Sequence, residues 1–405
     1  MKKIIVFIVI FCSCKKEQLL PVTNVVNNQD IVSDINMKTS YYKPYHVPFY
    51  DYYLTSNYDY NVLMLSRSFI DINHNSTPDL IISTAVWPGY QKGSLIAIVD
   101  DKVVKVIDSF QTQSRKILVC DFNGDKKQDA FILDQGLDLP PYGGGKNKLV
   151  LFNELSVDVK ELPDIGIFHG GCAGDVDNDG DIDIFPLANG KSEFLLINDG
   201  LGNFTKKLLF GGRTLDEYFH CEFYDLNKDG NLDLIMGGHE WKSSDNKNIQ
   251  FGGIFENYVL WGNGKGEYSF DNSTKLPTLN GWGTITDFDF SDLDGDGNDE
   301  IIVTRTGGPD NFYNNFKIQI LKKNNSNYVD YKTIEYPNGW PKSEWLDWVD
   351  VYDLDNDGIL DIVPDDQELN YTQNSQYWPI NELKTFSKMY FKGDGKCNFI
   401  ITHKR

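Results

Sequence analysis

The sequence predicts an all-β protein, and three observations carry that expectation. Aromatic residues make up 14% of the 405, with 22 Tyr, 25 Phe and 8 Trp, and such side chains favour the pleated, half-buried surface of a strand. Gly, Asn and Asp are abundant while long helical periodicity is scarce, so short strands joined by tight turns fit better than helices. Finally, a unit of strand, acidic loop and strand recurs along the chain. With 40% hydrophobic residues at this length, a sizeable core can form in one large or two ordinary domains.

The N-terminus divides into three parts. Lys2 and Lys3 precede an apolar run from Ile4 to Phe11, followed by Ser13 and Cys14. The run is too short to span a bilayer, which marks residues 1–13 as a signal peptide. It resembles a bacterial lipoprotein signal, and the resemblance implies that Cys14 is lipidated and anchors an exported protein at the outer membrane or cell surface. The alternative is an ordinary secretory signal cleaved nearby. Residues 14–40 read as the lipidated cysteine and a flexible tether, and residues 41–405 as the folded domain.

Charge excludes one class of partner. The formal net charge is −21, from 59 acidic against 38 basic side chains, which opposes a nucleic-acid phosphate backbone. Beyond the signal, Cys120, Cys172, Cys221 and Cys397 are spread too widely for a CxxC zinc site. A Cys172 to Cys221 disulfide is open in an oxidising compartment, but buried free thiols are the preferred reading.

The acid is clustered in six loops: DINHNSTPD from Asp71, DFNGDKKQD from Asp121, DVDNDGDID from Asp175, DLNKDGNLD from Asp225, DLDGDGNDE from Asp292 and DLDNDGILD from Asp353. Their spacing runs from 50 to 67 residues. Apolar strands lead in, as in KILVC before Asp121 and WVDVY before Asp353, and lead out, as in LIIS after Asp79 and IIVT after Glu300. A second strand pair follows in most units, with its own repeated turn: INDGLGNFT at 197, GNGKGEYSF at 262 and KGDGKCNFI at 392. Four strands per repeat predict a radial or solenoid array.

The pattern DxDxDGxxD between apolar strands, with an NxGxGxF turn downstream, resembles the FG-GAP or VCBS-type repeat of integrin α-chains and bacterial surface proteins. The resemblance runs from about residue 60 to the C-terminus. It implies a β-propeller of six or seven four-stranded blades with calcium-binding loops, residues 41–65 closing the ring or forming a degenerate seventh blade.

Calcium requires roughly six to eight oxygen ligands, which acid at alternate positions of a tight loop supplies. The expected metal residues are Asp71, Asn73, Asn75 and Asp79; Asp121, Asn123, Asp125 and Asp129; and Asp175, Asp177, Asp179, Asp181 and Asp183. To these are added Asp225, Asn227, Asp229, Asn231 and Asp233; Asp292, Asp294, Asp296, Asn298 and Glu300; and Asp353, Asp355, Asp357, Ile359 through its carbonyl, and Asp361. Gly180, Gly230, Gly297 and Gly358 allow the sharp bend at the sixth position. An EF-hand needs acid at the twelfth position, where Ile82, Ile132, Pro186, Met236, Val303 and Pro364 stand, so these are not EF-hands. The ninth residue is the last acid, and the resemblance makes it a ligand. The loops at 175, 292 and 353 are the richest, while those at 71 and 121 are poor in acid or lack the glycine. The expectation is several calcium ions, four to six.

Segments at the opposite end of each unit differ from copy to copy, as a binding face does. Trp87, Tyr90, His239, Trp241, Trp282, Arg305 and Trp345 are the ligand-binding candidates there, because aromatic faces beside polar groups suit sugar rings. Packing between sheets is the competing reading of these tryptophans and the preferred one for Trp340 and Trp348. His169 and His220 read as structural histidines. No GxSxG, HExxH or phosphate loop occurs, and no catalytic residue is assigned. The sequence therefore points to a calcium-stabilised binding module for a glycan or an extracellular protein. The alternative is a polysaccharide lyase or hydrolase, with His239, Glu240, Arg305 and Asp310 as first suspects.

Overall fold

The computed structural model describes residues 61–403 apart from 76–78, 88–90, 101–102, 138–141, 154–155, 190, 192, 213–217, 241–255, 308–314, 336–345, 347 and 366–388. The signal peptide, Cys14, the tether, residues 41–60, Tyr90, Trp241, Asp310, Trp340 and Trp345 lie outside the described residues.

Twenty-three antiparallel strands and no α-helix are described, and they fall into six units of four. The first unit is β1 (Asn61–Ile70), β2 (Asp79–Trp87), β3 (Gln91–Val99) and β4 (Val103–Thr112). The second is β5 (Ser114–Cys120), β6 (Asp129–Asp134), β7 (Gly145–Asn153) and the first part of β8 (Ser156–Gly174). The rest of β8 opens the third, with β9 (Asp183–Asn189), β10 (Phe194–Asn198) and β11 (Phe204–Leu208). Then come β12 (Tyr218–Tyr224), β13 (Asp233–Gly238), β14 (Asn257–Leu260) and β15 (Ser273–Leu276). The fifth holds β16 (Thr284–Ser291), β17 (Glu300–Thr306), β18 (Phe316–Asn324) and β19 (Asn327–Glu335). The sixth is β20 (Trp348–Tyr352), β21 (Asp361–Asp365), β22 (Met389–Gly393) and β23 (Phe399–His403). Each acidic loop joins the first strand of a unit to the second, as the repeat predicts.

β8 shows how one unit passes to the next. Its 19 residues pair with β7 as far as Gly166 and with β9 from Ile167 onward. Exposure changes at the same point, from a largely solvent-facing outer strand to a largely buried inner one. One strand thereby fuses two units into a seven-stranded sheet.

The core lies in slabs between successive sheets. Ile70, Ile81 and Leu95 of the first unit meet Ile117, Ile132 and Phe152 of the second. Phe131 and Leu149 meet Phe168 and Ile184, and Phe185 and Leu195 meet Phe223 and Met236. Ile235 and Val259 meet Phe288 and Ile301, and Ile302 and Phe316 meet Val349 and Phe391. A second strand is therefore covered on both faces, which explains the unbroken apolar pairs Ile81–Ile82, Phe131–Ile132, Leu234–Ile235 and Ile301–Ile302, all buried. Single-faced sheets would alternate instead.

Five of the six first strands share a bulge. Register shifts fall between Met64 and Ser66, Ser114 and Lys116, Phe168 and Gly170, Tyr218 and His220, and Ile285 and Asp287. The inserted residues Leu65, Arg115, His169, Phe219 and Thr286 each stand six before their acidic loop. Side chains near the bulges tie each first strand to another. Ser66 donates to Ser114 O at 2.8 Å, His169 packs on Phe219 with centroids 5.1 Å apart, and Thr286 donates to Leu346 O at 2.8 Å. His220 Nε2 lies 3.1 Å from Glu222 and 3.0 Å from Asp287, and Lys116 bonds Glu222 at 2.9 Å. All four of these side chains are buried, and ligand atoms of His220, Glu222 and Asp287 lie within 4.8 Å of one another. Cys172 and Cys221 are buried free thiols, and Trp348 is buried in the sheet packing.

Candidate metal loops and the opposite end

The acidic loops are built by their own backbone. The first aspartate accepts from amides later in the loop: Asp175 from Asp179 N at 3.1 Å and Gly180 N at 3.0 Å. Asp225 holds Asp229 N and Gly230 N at 3.0 and 2.9 Å, and Asp353 holds Asp357 N and Gly358 N at 3.0 and 2.8 Å. Asp292 accepts from Gly295, Asp296 and Gly297, and Asp121 from Gly124 and Lys126. The fifth residue caps the seventh amide, as Asp179 does for Asp181 and Asp357 for Ile359.

Two positions need left-handed backbone. The sixth is Gly180, Gly230, Gly297 and Gly358, with φ between 87° and 95°, as the sequence predicts. Lys126 takes that position in its loop at φ 67°, which strains a residue with a Cβ. Sequence reasoning missed the fourth: His74, Gly124, Asn178, Lys228, Gly295 and Asn356 all have positive φ, from 58° to 75°. Asn and Gly at half or more of these places were the available signal, since both tolerate that conformation.

The ninth acid is a buried tie. Asp183 accepts from Val176 N at 3.2 Å and Asn198 N at 2.8 Å, joining loop to third strand. Asp79, Asp129, Asp233 and Asp361 make the same pair of bonds with Ile72 and Asp100, Phe122 and Phe152, Leu226 and Gly262, and Leu354 and Gly393. Burial pushes the carboxyls of Asp129, Asp183, Asp233 and Glu300 up to about 7, against the pull of these amides. Burial also raises Asp79 and Asp361.

Donor atoms converge in the loops expected to be richest. Carboxylate oxygens of Asp175, Asp177 and Asp183 lie within 4.8 Å of one another, as do those of Asp292, Asp294 and Asp296, and of Asp353, Asp355 and Asp357. Asp177 Oδ1 and Asp294 Oδ1 are buried without a hydrogen bond. An oxygen-only donor set with orphaned carboxylate oxygens fits a hard cation such as calcium. Desolvation, then the charges of Asp179 and Asp175, raises Asp177. Asp296 and Asp357 go the other way: a bond from Lys322 holds Asp296 at about 2, and one from Lys392 lowers Asp357. In the loop at 71 the side chains of Asn73 and Asn75 instead donate to Asp100, just past β3, at 3.1 and 2.7 Å.

At the other end of the sheets, His239, Trp282 and Arg305 are described, and for Trp87 the backbone in β2. Arg305 on β17 has no exposed surface. It pairs with Glu240 at 2.8 Å and donates to Gln319 Oε1 at 2.7 Å, Trp282 O at 3.2 Å and Pro277 O at 3.1 Å. Arg305 is thus a buried strut and not an open loop side chain, with every branch of its guanidinium bonded within the protein. Burial raises the Glu240 carboxyl despite Arg305. His239 is buried, bridges Thr284 and packs on Phe219 with centroids 4.2 Å apart. Trp282 is half-buried, with Lys317 Nζ 5.1 Å from its ring centre. Of the candidates whose side chains are described, the structure brings Arg305 and the Trp282 backbone together, buries Arg305 and His239, and leaves Trp282 half-buried.

No curated protein matches this sequence. Among solved structures, a rhamnogalacturonan lyase, YesW, is similar over 87% of this chain and 59% of its own, at 12% identity and a TM-score of 0.32. This chain spans less than two thirds of that protein, and at such a score neither fold nor chemistry transfers. The family model of the FG-GAP-like repeat matches residues 175–236 and 292–363, which contain the loops at 175, 225, 292 and 353. The chain carries FG-GAP-like repeats.

Proposed function

We propose that this chain is an exported, lipid-anchored β-propeller, stabilised by calcium in its acidic loops, that binds a glycan at the end opposite those loops. Support for the propeller comes from the first strands, which pack in chain order from β1 through β5, β8, β12 and β16 to β20, with a core slab between each pair of sheets. Support for calcium comes from the orphaned Asp177 and Asp294 oxygens among converging carboxylates. Affinity is expected at about 0.1 to 1 mM, as in extracellular modules.

One observation carries the binding reading over the enzymatic one. Arg305 and Glu240, suspects for acid–base chemistry, neutralise each other inside the protein and hold the carbonyls of Pro277 and Trp282. What they present is an indole ring, half open and flanked by Lys317. A rigid aromatic platform beside a cation suits a sugar face carrying acidic or hydroxyl groups. The test is a glycan array followed by calorimetry on Trp282→Ala. Saturable binding lost in the variant, without turnover, is the expected result; turnover of an acidic glycan would instead establish the enzyme, and an empty array with a captured extracellular protein would move the ligand to protein.

A further inference from the structure

The six loops face different residues from the third strand of their own unit. Second and third strands pair at Leu80 with Ile98, Ala130 with Val150, Ile184 with Leu196, Leu234 with Leu260, Ile301 with Leu321 and Ile362 with Phe391. One step further, opposite the ninth acid, stand Val99, Leu151, Ile197, Trp261, Lys322 and Lys392. The first four are apolar and the last two are lysines. Lys322 bonds Asp294, lies 2.9 Å from Asp296 and 3.6 Å from Glu300. Lys392 bonds Asp355 and lies 2.7 Å from Asp357. In both loops one ammonium rests on the third and fifth acids, which calcium would bridge. Among the described residues no lysine or arginine pairs with Asp175, Asp177 or Asp179, although that loop is equally acidic. Lys228 of the neighbouring loop points away, to Gly297 O at 2.9 Å and Asp299 at 3.4 Å.

We propose that the acidic loops form two classes: those at 292 and 353 carry a built-in lysine counter-ion that calcium must displace, whereas the loop at 175 has none and depends on the added ion. The inference rests on the calcium reading above. The lysine-filled loops keep their shape when calcium is scarce and take it up at higher concentration. The loop at 175 is the tight site. Sequence ranking alone placed all three together; the third-strand register separates them.

The test is calcium titration of the whole exported chain by calorimetry after chelation, with Ca2+ as the probe. Lys322→Met and Lys392→Met, together, are expected to move two sites into the tight class, each by about tenfold or more, because ligand charge sets calcium affinity in such loops. The converse Ile197→Lys is expected to weaken the tight site by a similar factor. If neither change alters affinity or stoichiometry while wild type still binds calcium, the two-class proposal is wrong. If wild type binds no calcium, the calcium reading itself falls. Should the double methionine variant fold only with calcium, that dependence supports the proposal; should it not fold at all, the Ile197→Lys result decides.

Discussion

The two ends of the sheets solve different problems. At the acidic end the same hydrogen bonds recur loop after loop, from first aspartate to loop amides and from ninth acid to third strand. At the opposite end the buried polar networks of the described residues differ from unit to unit: Arg305 binds Glu240, Gln319 and the carbonyls of Trp282 and Pro277, whereas in the second unit Lys148 binds Asp134 and Thr112. Repetition marks what holds each unit; the varied networks mark where one unit differs from the next. The two ends should therefore respond differently to mutation and to ions.

The largest expected effect is at the variable end. Arg305→Leu leaves Glu240 as a buried carboxylate without its cation, which costs about 3–5 kcal/mol. Denaturant unfolding measures it, and a change below about 1 kcal/mol would mean that the pair is solvated. Adding Glu240→Gln should restore much of the loss, since removing both charges removes the desolvation penalty. Neither variant should change calcium affinity if the two ends are independent.

Calcium removal acts only at the repeated end. At ten times its dissociation constant, calcium adds about 1.4 kcal/mol per site to stability, so chelation should lower the thermal midpoint and Asp177→Asn should abolish the share of one loop. Without calcium the Asp177→Asn protein should be no less stable than wild type, because burial and neighbouring acids already disfavour the Asp177 charge. An unchanged midpoint on chelation would remove calcium from the account.

These differences were unevenly legible in the sequence. Six loops, their flanking apolar runs and four strands per unit could be read because the repeat shows the same pattern six times. The bulge six residues before five of the loops could not, because Leu65, Arg115, His169, Phe219 and Thr286 share no chemistry, only a place. Lys322 and Lys392 were hidden for another reason: their meaning depends on cross-strand register, which pairs residues more than twenty apart in sequence. Arg305 and Glu240 were read as surface candidates because charge in a variable loop is usually exposed, and only the fold shows their side chains enclosed.

Proton linkage gives the next prediction. The ninth acids Asp129, Asp183 and Asp233, with Glu300, stand near 7 in the folded chain, above their unfolded values of about 4. A raised carboxyl stabilises the fold when protonated, so the calcium-free protein should gain stability as pH falls from about 7 toward 4. Below about 4 the trend should reverse, because Asp296, held at about 2 by Lys322, loses its pairing as it protonates. With calcium present the upper window should invert, since the ion and the proton compete for the same oxygens. Thermal midpoints across pH, with and without chelator, check all three signs.

The smallest effect separates backbone strain from ion binding within the repeated end. Lys126 holds φ 67° where four sister loops have glycine. Its amide still bonds Asp121 at 2.7 Å, so the bend is made despite the Cβ. Lys126→Gly removes the strain but frees the unfolded chain, two terms of similar size and opposite sign. The left-handed penalty of about 1–2 kcal/mol exceeds the entropy of about 0.4–1 kcal/mol, leaving a net gain of about 0.5–1 kcal/mol. Removing a lysine beside Asp125 and Asp121 also raises the local negative charge, so the same substitution should tighten calcium at this loop while the four loops that already carry the glycine stay unchanged. A stability gain without any calcium effect would mean that the loop at 121 is a structural turn alone.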